Sequence, residues 1–214
     1  MADIIVAGNT SGAITISAPL VAGSGVLTLP TGTDTLIGKA TTDTLTNKSI
    51  AATQLTGTIA AAALPAGSVI QVVNSQTGAV ATGTTLIPND DTIPQITEGN
   101  EYMTLAITPT SATSLLEVTV TTIYGSNVNN YMCVALFRDA GANALATGFC
   151  FVYGDMYNTT TYSYRVVAGS VSATTFRVRI GGNNAGTTTF NGRNGARLFG
   201  GTMASSITIK EYVA

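Results

Sequence analysis

From Ser68 to the C-terminal residues, apolar and polar side chains alternate with a period of two in one short stretch after another, each closed by Gly, Pro, Asn or Asp. A residue that repeats every second position lies on one face of a strand, so this pattern predicts strands with one face buried. The predicted strands are residues 68–73, 102–107, 115–121, 131–137, 148–153, 162–167, 175–180 and 206–212. The clearest case is the stretch from Phe176 to Ile180, where Phe176, Val178 and Ile180 share one face and Arg177 and Arg179 the other. Eight such strands fit a two-sheet β-sandwich of the jelly-roll type. Between the fourth and fifth, Arg138-Asp139-Ala140-Gly141-Ala142-Asn143 has hairpin chemistry and reads as a solvent-exposed connection.

The first 67 residues follow a different rule. Ala13–Ser17 and Gly25–Leu29 predict short strands separated by turn residues. A repeat follows: Thr33-Asp34-Thr35-Leu36-Ile37-Gly38-Lys39 returns nine residues later as Thr42-Asp43-Thr44-Leu45-Thr46-Asn47-Lys48, with five of seven positions identical. A unit with a single leucine to bury cannot form a core within one chain, so neighbouring copies or other chains must cover it. The segment from Ala51 to Ala63 has room for a short helical turn before Pro65 and Gly67 stop it. Residues 1–67 therefore read as an intertwined oligomeric stalk region, and 68–214 as a β-sandwich domain. The predicted fold class is all-β, and the stalk core is expected at Leu36, Leu45, Leu55 and Ile59.

Composition narrows the chemistry. With 45% hydrophobic residues in 214, the chain can bury a sizeable core. Only 9% are charged, nine basic against eleven acidic, which leaves no basic patch to neutralise a phosphate backbone, and nucleic acid is not an expected partner. No apolar run reaches bilayer length, so no membrane insertion is expected. The absence of histidine removes the commonest general base, the commonest metal ligand and every Ser-His or Cys-His nucleophile pair. Paired carboxylates would still permit glycoside hydrolysis, yet Asp90-Asp91 sits in a Pro88–Pro94 turn and Asp155 has no evident second acid. The expectation is a protein that is not an enzyme and carries no cofactor. Gly181-Gly182 and Gly200-Gly201 read as turn signals; Cys133 and Cys150 could face each other on a hairpin, but two reduced thiols are the more ordinary reading.

Thr42-Asp43-Thr44-Leu45-Thr46-Asn47-Lys48-Ser49-Ile50 resembles the Asp-Thr-Leu-Thr-Asn-Lys motif that recurs in phage tail-fibre proteins. Thr53–Ile59 with Leu64–Val72 is similar to the stalk-to-knob junction of such fibres. Ile107-Thr108-Pro109, Ala135–Asp139, Phe176–Gly182 and Gly200–Ile209 resemble a β-sandwich domain common among phages of aquatic bacteria. The resemblance implies a homotrimeric virion fibre, bound through its N-terminal region to other virion proteins and exposing its knob to a host-surface polysaccharide or protein. Its stalk has only two copies of the nine-residue unit, so a capsid decoration protein or head fibre is the alternative. For adhesion, the candidate contact residues are Asn127, Asn129, Asn130, Tyr157, Tyr162, Asn183, Asn184 and Arg193, on stretches expected to be loops (126–130, 153–164 and 181–195). Tyrosines packing in the knob and asparagines holding turns compete for the same positions.

Overall fold

The structure is a computed structural model, and it describes residues 4–7, 13–16, 49–51, 57 and 59–214. Two units divide the chain, residues 1–56 and 57–214. In the first, β1 (Ile4–Ala7) and β2 (Ala13–Ile16) pair antiparallel, in agreement with the strand expected at Ala13. Leu36, Leu45 and Leu55, three of the four expected stalk-core residues, lie outside the described residues, as does the strand expected at Gly25–Leu29.

The second unit begins with a single 3-10 turn, Ala61–Ala63, where a short helical turn was expected. Ile59, the fourth expected stalk-core residue, is exposed in the chain described here. The unit then builds β3 (Val69–Thr77), β4 (Ala81–Gly83), β5 (Asn100–Ile107), β6 (Leu115–Ser126), β7 (Asn130–Arg138) and β8 (Ala146–Val152). It continues with β9 (Met156–Val167), β10 (Thr174–Gly182), β11 (Thr188–Phe190), β12 (Gly192–Arg193), β13 (Ala196–Arg197) and β14 (Ser205–Tyr212). All eight expected strands are present. The unit starts before residue 68 because Gly67 N–H donates to the Val213 carbonyl (2.9 Å) and Val213 N–H donates to that of Ser68 (2.9 Å), which ties the entry of the unit to its last strand.

One sheet has the order β5-β10-β7-β8. In the other, β6 is paired along its whole length with β9, while its opposite edge carries β14 and then β11, with β3 outside β14 and β4 outside β11. Successive long strands pass from sheet to sheet, except β7 and β8, which form the expected hairpin. This is the eight-stranded jelly roll, two Greek keys folded into a sandwich.

The alternation in sequence is what closes it. Phe176, Val178 and Ile180 of β10 and Met132, Val134 and Leu136 of β7 face Leu116, Val118 and Val120 of β6 and Ile207 and Ile209 of β14, all fully buried. Arg177 and Arg179 lie on the opposite face of β10, paired with Glu101. Each buried large aliphatic side chain contributes roughly 1.5–3 kcal/mol, so these strands account for most of the hydrophobic stabilisation. Glu211 continues the inward row of Ile207 and Ile209, and its buried Oε1 accepts from Thr110 N–H (2.7 Å) and Thr110 Oγ1 (2.8 Å).

A second, smaller core lies on the outer face of the β5-β10-β7-β8 sheet. The connection from β4 to β5, residues 84–99, crosses that face and packs Ile87 on Ala135 and Phe137, with Ile96 and Cys133 at the margin. It can lie so close because of Gly181: a Cβ there would stand 2.8 Å from Ile87 Cγ1 and 2.8 Å from the Thr85 carbonyl oxygen. Gly181 and Gly182 were expected to mark a turn. They instead end strand β10 and are buried, because their missing side chains admit neighbouring groups.

Candidate functional site

The crossing segment 84–99 packs on Ala135 and Phe137 of β7, while Tyr131 of β7 and Phe149 and Phe151 of β8, the edge strand, stay exposed. β7 and β8 pair with Tyr131 opposite Phe151 and Cys133 opposite Phe149. On β8, Phe149 and Phe151 take alternate positions, so both point outward, and Tyr153 extends the row just beyond the strand end. The four rings form a continuous strip. Tyr131 and Phe149 stack with centroids 5.5 Å apart and planes 10° from parallel. Phe151 meets Tyr131 edge-on at 4.9 Å and Tyr153 at 5.0 Å. All four are solvent-exposed: Tyr131 43%, Phe149 55%, Phe151 37% and Tyr153 67%. An exposed apolar cluster of this kind marks a contact site more often than scattered surface residues do.

Beside the strip lies a cleft of about 250 Å³, with Tyr131, Phe149 and Thr147 on one wall and Asn89, Asp90 and Thr92 on the other. The loop wall is held in place by Ile87 N–H donating to the Gly182 carbonyl (3.1 Å) and Asn89 N–H donating to Asn183 Oδ1 (2.9 Å). Asp90 Oδ1 accepts from the Thr92 backbone N–H (2.9 Å) and hydroxyl (2.5 Å). These bonds, the hydroxyl's first, hold the Asp90 carboxyl below its ordinary range. Asp90 therefore makes the turn its sequence suggested, while Oδ2 has no partner among the described residues.

The two cysteines sit on the same hairpin but one step out of register, Cys133 opposite Phe149 and Cys150 opposite Met132. Cys133 faces outward under the 84–99 segment and Cys150 inward, where the Tyr124 hydroxyl lies 3.0 Å from its sulfur. Both are free thiols. Burial, with Glu98 nearby, pushes the Cys133 thiol up to about 11. Among the described residues no group of three His, Cys, Asp or Glu side chains is placed to hold a metal ion, and no helix is long and apolar enough to cross a membrane.

The residues expected at the contact surface divide. Asn127, Asn129, Asn130, Asn183 and Asn184 come together at the end of the sandwich where β6 meets β7 and β10 leaves the sheet, but most of their amides are engaged in holding loops. Asn127 Oδ1 accepts from Thr187 N–H (2.7 Å) and Asn129 Oδ1 from Gly154 N–H (2.8 Å). Asn130 is buried and bonded to Asn184. The stretch 153–164 is not a loop beyond Asp155: β9 starts at Met156, which sends Tyr162 inward, where it packs on the core and its hydroxyl donates to the Val134 carbonyl (3.2 Å). Burial raises that phenol well above its ordinary value. Tyr157 is exposed on β9 of the other sheet, and Arg193 is exposed on β12. Neither belongs to the aromatic strip. A shallow polar recess of about 420 Å³ lies near Asn127, Asp155, Thr187 and Asn194.

The sequence carries one sign of the strip. Phe149, Phe151 and Tyr153 recur with a period of two while Cys150 and Val152 occupy the intervening positions, so both faces of β8 are apolar. In an edge strand only one of those faces can enter the core.

Fold and site together define a jelly-roll domain with a bare aromatic strip on the outer face of its four-stranded sheet. A family model described as the Pgp3 C-terminal domain matches residues 79–214, well over half of the chain, and the chain belongs to that family. No curated protein sequence matches it. Among solved structures it is similar to the CBM36-1 domain of a multidomain xylanase from the hindgut metagenome of Trinervitermes trinervoides, at 13% identity over 65% of this chain and 96% of that one, with a TM-score of 0.36. A structure described as CBM4 shares 15% identity over 54% of this chain and 68% of that one (TM-score 0.34). The infectious bursal disease virus Gx strain structure shares 8% over 67% and 37% (TM-score 0.33). All three are distant.

Proposed function

We propose that this chain is a non-catalytic fibre subunit of a phage particle, a homotrimer whose N-terminal region attaches to other virion proteins and whose jelly-roll head adheres to a host-surface polysaccharide or protein. The observation that carries the adhesive role is the aromatic strip of Tyr131, Phe149, Phe151 and Tyr153, four exposed rings on an edge strand beside a polar cleft. Such a surface costs the head solubility and adds little to its core, and rigid amphipathic rings are effective contact residues because little side-chain entropy is lost on binding. The trimer rests on the short Leu36 and Leu45 repeat, which needs other chains to bury it, and the phage setting on the Asp43–Lys48 motif. Three heads on one stalk would multiply weak single-site contacts.

The test is adsorption by particles whose fibre ends after Gly67, together with the copy number of the chain per particle by quantitative mass spectrometry. A few trimers per particle and lost adsorption without lost assembly support the proposal. Unchanged adsorption refutes it, and copy numbers near that of the capsid subunit would make the chain a capsid decoration instead.

A further inference from the structure

The adhesive reading leaves the chemistry of the bound partner open, and the walls of the cleft narrow it. Resting on that reading, the geometry points to a neutral pyranose sugar as the ligand, its C–H face against Phe149 and its hydroxyls toward Asn89, Asp90 and Thr92.

The two walls differ in a way that suits a sugar ring. One wall is aromatic: Phe149 is more than half exposed and backed by the parallel ring of Tyr131. The C–H groups on one side of a pyranose carry a small positive charge and are attracted to the negative face of an aromatic ring. The facing wall sets the polar groups of Asn89, Asp90 and Thr92 among Ile87, Pro88 and Pro94, and Asp90 Oδ2 is available to accept from a hydroxyl. Ionised carboxylates accept only, so they match a ligand rich in O–H donors.

Charge then selects among sugars. The cleft and the recess continuing from it are lined by Asp90 and Asp91 and by no Lys or Arg. An anionic sugar would meet two carboxylates with no cation to compensate, whereas a neutral one avoids that repulsion. Size agrees: about 250 Å³ falls just below the roughly 300–1,000 Å³ of sites for drug-sized ligands, room for a single ring. Phe151 and Tyr153 continue the strip and provide a surface for the next sugar of a chain. The loop wall is fixed by its bonds to Gly182 and Asn183, so little ordering is needed on binding.

Saturation-transfer NMR on the full chain tests this with methyl glycosides of glucose, galactose and mannose, and methyl glucuronoside as the anionic counterpart. At least one neutral glycoside should receive saturation at its ring C–H protons, and Phe149→Ala should weaken its binding about tenfold with an unchanged Tm. Asp90→Ala should weaken it several-fold. The inference is overturned if no neutral glycoside binds, if the glucuronoside binds as well as the glucoside, or if Phe149→Ala binds like the wild type. Adsorption of the same variant to host cells separates the two levels. Adsorption lost in Phe149→Ala without any sugar binding keeps the strip as the adhesive surface and removes the sugar. Sugar binding lost while adsorption is unchanged keeps the sugar site and removes its role in adhesion.

Discussion

Asn130 grips Asn184 by both of its backbone groups: its Nδ2 donates to the Asn184 carbonyl at 2.9 Å and its Oδ1 accepts from the Asn184 N–H at 2.9 Å. A side-chain amide thus stands in for a strand neighbour just where β10 has left the sheet. The pairing needs room beside Gly182, where a Cβ would come within 2.2 Å of Asn130 Nδ2.

Replacing Asn130 with Ala leaves the Asn184 backbone groups without this partner. The expected cost is about 1–3 kcal/mol, or a fall in Tm of roughly 2–4 °C per kcal/mol for a domain of this size. Differential scanning calorimetry measures it. Asn127→Ala, which removes a single exposed bond, should cost less than half as much.

Gly181→Ala puts a methyl group where Ile87 and the Thr85 carbonyl now sit. The 84–99 segment has to lift, since the contacts at 2.8 Å include backbone atoms that cannot rotate away. Overpacking of this kind costs typically 1–3 kcal/mol. It also opens the lid over Cys133, so hydrogen exchange in residues 84–99 should rise sharply while the core strands keep their protection.

Alkaline pH should unfold the head through its buried acids. Burial raises the Tyr102 phenol to about 12 and Cys133 to about 11, and pushes Tyr124 and Tyr162 up as well. The folded state holds these protons more tightly than the unfolded chain does. The stabilisation they reflect is complete below the ordinary value of 9.0 for Cys or 10.0 for Tyr and is lost as pH climbs toward the raised values. Tyrosinate absorbance should accordingly show a late group of phenols, Tyr102, Tyr124 and Tyr162, that ionises only with the loss of β-sheet circular dichroism. A single smooth titration would contradict the burial of these rings.

Oxidation should leave Cys133 and Cys150 unpaired within a chain, because the register directs them to opposite faces of the sheet. Mass spectrometry of mildly oxidised protein should find no two-hydrogen loss linking them. Cys133 should also resist iodoacetamide at neutral pH, since so little thiolate is present when the thiol is raised. Alkylation of Cys133 in the folded chain at the rate of free cysteine would show the 84–99 segment to be open.

The eight long strands were legible because a period of two has only one geometric meaning, and Phe176, Val178 and Ile180 all end in the core as the alternation required. What the pattern could not convey is which polar residue follows an inward row. Glu211 shares the face of Ile207 and Ile209, yet nothing local in the chain shows that Thr110, about a hundred residues away, will satisfy it. Strand β11 was missed because Thr188-Thr189-Phe190 is too short for a periodicity and sits among Gly and Asn. Asn130 and Tyr162 were selected by residue type as contact groups. Type does not give direction, and both point inward. The aromatic strip escaped for the opposite reason: apolar residues on both faces of β8 read as burial, and only the strand's place at the sheet edge shows that one face stays bare.

The backbone bonds that join Gly67 and Ser68 to Val213 set the place where the chain enters the jelly roll beside the place where its last strand ends, and the aromatic rings lie toward the opposite end of the sandwich. A domain whose two ends adjoin can be lifted out and replaced with few other contacts to repair. Under the proposed adhesive role, an exchange of residues 68–213 would replace the contact surface as one unit with few backbone bonds to repair.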